Sequence, residues 1–248
     1  MDTHTKDASM DQWIREASFA FFTSEKELPK EDFLDKDLAN LYLDTTQKLL
    51  YSSSSQNQFS QVEYSKFSVF LSYIVKSTLY FHYCFDHSIK EKNSKLALMY
   101  GDLYLAQSGL HFTKISNFLR MRSLLREVLF SIALSQKMQE KSKCIPFDLF
   151  QTIIKKSYGA IFRFVLISPY LWKQKSVEKR KLTEIGYNTA LCLALHVNPY
   201  LSGDQTTNEI KNNVFLKLKN KIGEEKWYEY NFDGWEITLK KNEGPPTK

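Results

Sequence analysis

The sequence predicts an all-α protein, and three observations carry that prediction. Glycine and proline are scarce, at 8 and 6 of 248 residues, which suits long uninterrupted helices. Aromatic residues make up 15% of the chain, which supplies enough large apolar side chains for a folded core. Apolar residues recur every three or four positions along most of the chain, which is the period of one helical face. We therefore predict one helical domain over residues 1–222 and a C-terminal segment, 223–248, of different character.

The first half of the chain contains four predicted helices separated by polar segments. They span residues 11–22, 31–51, 64–90 and 96–112. Glu31 and Asp32 favour a helix start, because carboxylates complement the positive end of the helix dipole. A polar loop from Ser52 to Ser60 and a charged turn from Glu91 to Lys95 separate the last three of these helices.

Four more predicted helices fill the second half of the chain. They span residues 115–141, 147–167, 177–197 and 206–222. Pro146, Pro169 and Pro199 mark three boundaries, since the residue before a proline disfavours the helical conformation. Gly223 ends the last helix, as glycine commonly does just after a helix C-terminus.

The C-terminal segment changes from a helical period to the period of a β-strand. Apolar residues alternate with polar ones on both sides of Asp233-Gly234: Tyr228, Tyr230 and Phe232 before it, Trp235, Ile237 and Leu239 after it. An Asp-Gly pair between two alternating runs is a strong hairpin signal. We therefore predict a C-terminal β-hairpin over Trp227–Lys240.

The predicted helix at 64–90 is apolar over most of its circumference. Its polar residues form a single stripe at helical spacing: Ser65, Ser68, Ser72 and Lys76. The remaining positions are mainly Phe, Val, Leu and Ile, so we expect most of the helix surface to be buried.

The predicted helix at 96–112 combines apolar residues with a strip of small ones. Ala97, Gly101 and Ser108 share one face, which lets another helix approach closely. Asp102 lies beside this strip, and an unpaired buried carboxylate is costly. Asp102 therefore needs either a partner or a solvent-exposed edge.

These two helices resemble the central pair of the all-helical trans-prenyl diphosphate synthases. The features that carry the resemblance are an apolar helix ending near a histidine, a charged turn, and Gly101-Asp102-Leu103-Tyr104-Leu105-Ala106 on the second helix. The resemblance covers about Asp37 to Ile222. It implies an isoprenoid-synthase-like helical bundle.

In that family the first helix ends in His-Asp-Asp-x-x-Asp, whose carboxylates hold Mg²⁺ on the allylic diphosphate. The matching positions here read His82-Tyr83-Cys84-Phe85-Asp86-His87. Tyr83 and Cys84 replace the two leading aspartates, and His87 replaces the last one. Asp86 lies one residue out of place. The motif is degenerate, because Mg²⁺ requires oxygen ligands that these positions lack.

Two further motifs of the family are also altered. A diphosphate-binding lysine is expected in the helix after Pro146. When Ala160-Ile161-Phe162 is matched, Lys156 falls one residue early, which rotates it by about 100° on a helix. The family's second Asp-rich motif corresponds to Leu182–Pro199, which contains no aspartate and a single glutamate, Glu184.

The resemblance therefore implies the small, non-catalytic subunit of a two-component long-chain synthase of the heptaprenyl or hexaprenyl type. Its catalytic partner would carry both Asp-rich motifs and the Mg²⁺, whereas this chain would have no catalytic residue, no metal and no cofactor. The two chains would form a heterodimer or heterotetramer, and the small subunit would be required for activity and product length. The product would be a quinone side-chain precursor, as in menaquinone biosynthesis.

The resemblance also implies where the partner binds. In the family, the Gly-Asp helix and the helix after it form the dimer interface. The predicted interface residues are Ala97, Gly101, Tyr104, Ser108, Phe118, Leu119, Leu125 and Leu129. The helix at 96–112 is apolar on nearly every side, which is more than one intramolecular face requires and independently favours a partner.

Two other interpretations stay open on the residues alone. His82, Cys84 and His87 could be taken for metal ligands. Their offsets of two and five residues do not place three ligands on one helical face, so buried packing is favoured over a metal site. The chain could also be a helical interaction module with no link to isoprenoids.

The net charge of +6 and the pI of about 9.0 suggest polyanionic partners, or a Lys-rich surface without such a role. The basic run Lys173–Lys181 is either a solvated face or a contact with diphosphate or anionic lipid. A basic nucleic-acid-binding protein is a further alternative. No recognised nucleic-acid-binding motif is present, so we expect no nucleic acid. A Lys-rich surface without a binding role is favoured, and a transient contact with a membrane surface stays open as an alternative.

We expect a cytoplasmic protein. The cysteines lie beside apolar residues, as buried thiols in a reducing compartment do: Cys84, Cys144 and Cys192. The longest apolar stretch, Phe67–Phe85, is interrupted by Lys76, which argues against a membrane span. The polar start of the chain, Met1–Ser9, does not resemble a signal peptide.

Overall fold

The structure, a computed structural model, describes residues 36–84, 91–140, 146–197, 216 and 219–220. Its helices are α1 (Lys36–Gln56), α2 (Gln61–Cys84), α3 (Glu91–Phe112), α4 (Phe118–Glu140), α5 (Phe147–Lys156), α6 (Tyr158–Trp172) and α7 (Lys179–Val197). The all-α prediction is confirmed for this part of the chain, where no strand occurs. The predicted helix at 11–22 and the hairpin at 227–240 lie outside the described residues.

No described helix is both long enough and apolar enough to cross a bilayer. Of the predicted helix at 206–222, the structure describes Leu216, Lys219 and Asn220, which are helical.

Three helix connections lie together at one end of the bundle. The ring of Phe59, between α1 and α2, packs against the ring of Trp172 at the end of α6, with 4.6 Å between centroids. Arg120, in the first turn of α4, donates a hydrogen bond from Nη1 to the backbone carbonyl of Trp172 at 3.2 Å. We call this end the turn end; it contains residues 57–60, 113–117 and 173–178.

Helix α2 lies at the centre of the bundle. Its most deeply buried apolar residues are Tyr64, Phe67, Phe70, Leu71, Ile74 and Val75. The ring of Phe70 contacts Phe112 of α3 at 5.1 Å and Phe164 of α6 at 5.7 Å between centroids. The prediction that most of the surface of this helix is buried is therefore confirmed, and α2 joins the other helices into one core.

The polar stripe on α2 also enters the core, where it is hydrogen-bonded to α1. Ser68 Oγ donates to Gln47 Oε1 at 2.7 Å, and Gln47 Nε2 donates to Ser72 Oγ at 3.4 Å. The hydroxyl of Tyr64 donates to the same Gln47 Oε1 at 3.3 Å. All four side chains are buried, and the shared hydrogen bonds offset the cost of removing them from water.

The predicted polar loop at 52–60 is wrong in its first half, because α1 continues to Gln56. Ser52, Ser53 and Ser54 are buried, and Ser53 Oγ donates to the backbone carbonyl of Leu166 in α6 at 3.0 Å. Serine disfavours helices by bonding to nearby backbone, but here the packing of α1 against α6 decides the conformation.

The predicted helix at 147–167 is wrong at two points. It is divided at Ser157, whose backbone has φ −91° and ψ −92°, into α5 and α6. It also continues past Pro169 to Trp172, although proline removes one helical hydrogen bond and costs about 3 kcal/mol. Phe164 to Pro169 are all buried, and this packing outweighs the loss.

Helices α6 and α7 cross at very short range. A Cβ on Gly186 of α7 would lie 2.6 Å from the backbone nitrogen of Arg163 and 3.0 Å from the carbonyl carbon of Phe162. A Cβ on Gly159 of α6 would lie 2.8 Å from Cδ1 of Tyr187. Each helix therefore supplies a glycine where the other approaches.

Candidate functional site

The end of α2, where the sequence resemblance predicts a degenerate Asp-rich motif, contains an aromatic stack. The imidazole of His82 stacks on Tyr158 of α6, with 5.2 Å between centroids and 19° between planes. Tyr158 in turn stacks on Tyr42 of α1 at 4.0 Å. Tyr42 and Tyr158 are buried, and burial raises the pKa of each phenol.

His82 is held as a neutral ring. Burial lowers its pKa to about 4. The residue as a whole is half-buried, but its Nε2 atom has no solvent contact and no hydrogen-bond partner. Gln139 of α4 donates from Nε2 to the backbone carbonyl of His82 at 3.3 Å. A neutral ring in this position indicates that His82 has a packing role and not a charged one.

The neighbouring residue, Tyr83, belongs to a different cluster. It packs against a group of buried residues between α2 and α3: Val69, Tyr73, Tyr80, Ala97 and Tyr104. The side chains of His82 and Tyr83 therefore lie on different sides of α2. Cys84 ends the helix, its side chain lies outside the described residues, and His87 does also.

A row of aromatic rings in contact, which the sequence analysis missed, lies in the α2–α3 interface. In order along the row the rings are His111, Tyr73, Tyr104, Tyr80 and Tyr100, with neighbouring centroids 5.0, 5.9, 5.5 and 5.6 Å apart. The available signal was spacing: Tyr73 and Tyr80 are seven residues apart, and Tyr100 and Tyr104 are four apart, so each pair shares a helical face.

A lysine also packs against this row. Lys76 Nζ lies 5.5 Å from the centroid of the Tyr104 ring. Burial lowers the pKa of Lys76 to about 7, while the contact with the ring favours the charged ammonium. The last polar residue of the α2 stripe therefore faces α3 and not bulk solvent.

The small-residue strip on α3 faces α2 within the same chain. Ala97, Gly101, Tyr104 and Ser108 are all buried, and Ser77 of α2 donates a hydrogen bond to the Gly101 carbonyl at 2.8 Å. A Cβ on Gly101 would lie 2.7 Å from the ring of Phe81. The close approach predicted for the strip occurs, but the approaching helix is α2. In this chain these four predicted interface residues are not accessible to a partner.

The opposite face of α3 is exposed and partly apolar. Its exposed residues are Lys95, Leu98, Met99, Asp102, Ala106, Gly109 and Leu110. Met99 is 67% exposed and Leu98 is 45% exposed. Asp102 lies on this face, so the structure gives it the solvent-exposed edge that the sequence required as one of two options.

The predicted interface residues on α4 divide into two kinds. Phe118, Leu125 and Leu129 are half-buried and pack against the core of the bundle. Leu119 is 67% exposed, and Phe130, which the sequence analysis did not select, is 71% exposed. A single chain does not test the interface, which stays a prediction. The exposed apolar side chains on α3 and α4 are the accessible candidates for it.

The described helix α7 has no carboxylate among its buried residues. Its one acidic residue, Glu184, is half-buried and lies 3.7 Å from Arg180. Cys192 is buried, and burial raises the pKa of its thiol to about 12, so it is a protonated core residue. Lys156 lies at the last position of α5, directly before the break at Ser157.

In the part of the chain that the structure describes, no three His, Cys, Asp or Glu side chains come together as metal ligands would. The side chains gathered at the end of α2 can stack, exclude water and accept hydrogen bonds.

The fold is that of the isoprenyl diphosphate synthases. The crystal structure of a geranyltranstransferase from Thermotoga maritima matches with a TM-score of 0.58 and 14% identity, covering 96% of this chain and 98% of that one. The geranyl diphosphate synthase small subunit from Antirrhinum majus matches with a TM-score of 0.57 and 12% identity, covering 92% and 98%. No family model and no curated protein sequence matches the chain.

Proposed function

We propose that this chain is a non-catalytic subunit of a two-component isoprenyl diphosphate synthase. The observation that carries the proposal is the replacement of metal-binding carboxylates inside a synthase-like bundle. The end of α2 has His82 and Tyr83 packed among aromatic rings where the family has an Asp-rich motif. Prenyl transfer needs Mg²⁺ on the diphosphate, and this ion requires oxygen ligands.

A precedent for such a division of labour is found among the similar structures. One of them is the small subunit of a geranyl diphosphate synthase, and it matches as well as the geranyltranstransferase does. In our proposal the catalytic partner supplies both Asp-rich motifs and Mg²⁺, and this chain supplies a supporting surface. The heptaprenyl or hexaprenyl product length and a role in quinone side-chain synthesis are the finer part of the proposal, supported by the sequence resemblance.

We propose that the partner binds the exposed faces of α3 and α4. Met99 on α3 and Phe130 on α4 are 67% and 71% exposed, and large apolar side chains with this exposure favour a protein interface. Leu98 extends the apolar surface on α3. A stable interface of this kind would bury on the order of 2,000 Å² in total.

The experiment is co-purification of the chain with a synthase whose Asp-rich motifs are intact and whose gene lies beside its own. We expect the mixture to convert farnesyl and isopentenyl diphosphates to a longer product, and each chain alone to show little or no turnover. Prenyl transfer by this chain alone, or no gain on mixing with any such synthase, would overturn the proposal.

The second part of the experiment places a charge in the proposed interface. Met99→Glu with Phe130→Glu should weaken the complex by roughly 30-fold or more, because each carboxylate would be buried against an apolar partner. Val62→Glu is the matched control, since Val62 is also 63% exposed but lies in the first turn of α2. Equal affinity in both variants would contradict this position for the interface.

A further inference from the structure

The turn end and the adjoining turns of its helices carry a cluster of positive charge. The segments 57–63, 110–120 and 172–182 carry seven lysine and arginine residues: Lys114, Arg120, Lys173, Lys175, Lys179, Arg180 and Lys181. They carry two carboxylates, Glu63 and Glu178. Five net positive charges therefore lie in these segments, compared with six for the whole chain. All seven cationic residues are exposed.

The three segments are brought together by direct contacts. Arg120 joins the start of α4 to the carbonyl of Trp172 at 3.2 Å, and Phe59 joins the α1–α2 connection to the Trp172 ring. Lys173 Nζ lies 4.5 Å from the centroid of the same ring. The cations of different segments therefore contribute to one surface and one electrostatic field.

The same end exposes three aliphatic side chains. Val62 is the second residue of α2, Leu110 lies in the last turn of α3 and Leu119 is the second residue of α4. They are 63%, 60% and 67% exposed, respectively. Each lies within one helical turn of the turn end, so apolar and cationic side chains occupy the same end of the molecule.

We propose that the turn end is a docking surface for an anionic lipid bilayer. Lysine and arginine near a negatively charged leaflet each favour binding, and their long stems can lie along apolar surface while the charge stays at the headgroups. Val62, Leu110 and Leu119 can enter the boundary between headgroups and acyl chains, where burial of aliphatic side chains favours binding. A nucleic acid has no apolar phase that these side chains could enter. The mixture of cations with aliphatic residues therefore favours lipid over a polyanion without an apolar phase.

Leu119 is also a predicted partner-interface residue, but the cations of this surface are separate from the residues proposed to bind the partner, Met99 and Phe130. The cations lie at the end of the bundle opposite to His82, since α2 starts at the turn end and His82 lies in its last turn. A chain that failed to activate any synthase could still bind vesicles, and the reverse also holds. The two tests therefore fail separately.

The test is co-sedimentation of the full chain with vesicles of phosphatidylcholine alone and of phosphatidylcholine with an equal part of phosphatidylglycerol. We expect binding only to the anionic vesicles, weakening as salt is raised. Replacing Lys173, Lys179 and Lys181 by Gln should lower the partition coefficient by about 100-fold. The matched control replaces Lys95, Lys137 and Lys155 by Gln, which removes the same charge elsewhere and should change binding by less than about fivefold.

A second pair of variants tests the aliphatic contribution. Leu110→Ser with Leu119→Ser should lower binding to the anionic vesicles by about 10-fold, because two exposed side chains lose their contact with the acyl boundary. Phe130→Ser is the control, since Phe130 is 71% exposed but lies in the middle of α4. Circular dichroism of all variants checks that the helices are retained.

Three outcomes would overturn the proposal. The first is no binding to anionic vesicles at low salt. The second is an equal loss from both lysine triple variants, which would assign binding to net charge alone. The third is binding of single-stranded RNA or duplex DNA through Lys173, Lys179 and Lys181 without binding of vesicles, which would make the turn end a nucleic-acid site.

Discussion

At the scale of single residues, His82 couples the stability of the fold to pH. Its ring is stacked on Tyr158, and burial lowers its pKa from 6.5 to about 4. The unfolded chain therefore binds a proton at this residue at a higher pH than the folded chain. Stability contributed by the neutral ring is present above pH 6.5 and is lost as the pH falls towards 4.

We expect the free energy of unfolding to fall by about 2 kcal/mol between pH 7.5 and pH 5 on account of this residue. His82→Phe keeps a ring against Tyr158 and removes the titrating group, so its stability should depend less on pH. Urea unfolding followed by helical circular dichroism measures both proteins at both pH values. His111, whose pKa is also lowered, contributes with the same sign in both proteins and cancels in the comparison. Identical pH dependence in both would show that His82 is not the cause.

At the scale of the helical elements, three glycines have three different environments. Gly186 faces backbone atoms of α6, Gly101 faces the ring of Phe81, and Gly109 has nothing within 4 Å of the position of a Cβ. Backbone atoms cannot move without shifting a helix, whereas an aromatic ring can rotate. The cost of adding a methyl group should therefore differ among them, although the chemical change is the same.

We expect Gly186→Ala to lower the free energy of unfolding by about 3 kcal/mol or more, because α6 and α7 must separate. Gly101→Ala should cost about 1–2 kcal/mol, since the Phe81 ring can adjust. Gly109→Ala is the control and should stabilise the protein by about 0.5–1 kcal/mol through its higher helix propensity. Thermal and urea unfolding give the three values. Equal costs at Gly186 and Gly101 would contradict the described α6–α7 crossing.

At the same scale, the sequence predicted where helices form better than it predicted which helices pack against each other. Ala97, Gly101 and Ser108 correctly indicated a close approach, but small side chains do not specify whether the approaching helix belongs to the same chain. Spacing likewise could not place Pro169 inside α6, because the compensating burial comes from other helices. The assignment of Tyr83 and Cys84 to Asp-rich positions depends on the family resemblance and stays a prediction.

At the scale of the whole molecule, the amino-acid composition and the helical spacing of apolar residues were sufficient to predict the all-α class. The family resemblance was sufficient for the bundle type, because it depends on the order of helices and not on individual contacts. The row of rings from His111 to Tyr100 required the structure, since it depends on how α2 and α3 pack against each other. The partner interface stays a prediction, and four of its eight predicted residues, Ala97, Gly101, Tyr104 and Ser108, are buried within the chain.

The described helices bury their apolar residues against one another. Tyr42, Phe67 and Phe164 are each at most 3% exposed and come from three different helices. We therefore expect a chain ending at Ile222, without the predicted hairpin, to keep the helical circular dichroism of the full chain. Its melting temperature should fall by no more than a few degrees, roughly what 1 kcal/mol costs a domain of this size. Aggregation or loss of helix on this truncation would show that residues after 222 belong to the core.

The hydrogen bond from Ser53 to Leu166 joins positions 113 residues apart in the chain. During synthesis, the part of the α1 surface that packs on α6 therefore stays uncovered until α6 has left the ribosome. At about 5–20 residues per second, that interval is on the order of ten seconds. Throughout it Ser53, which is buried in the finished bundle, lacks the contact with α6 that covers it. The long sequence separation between α1 and α6 therefore delays completion of the core until late in synthesis.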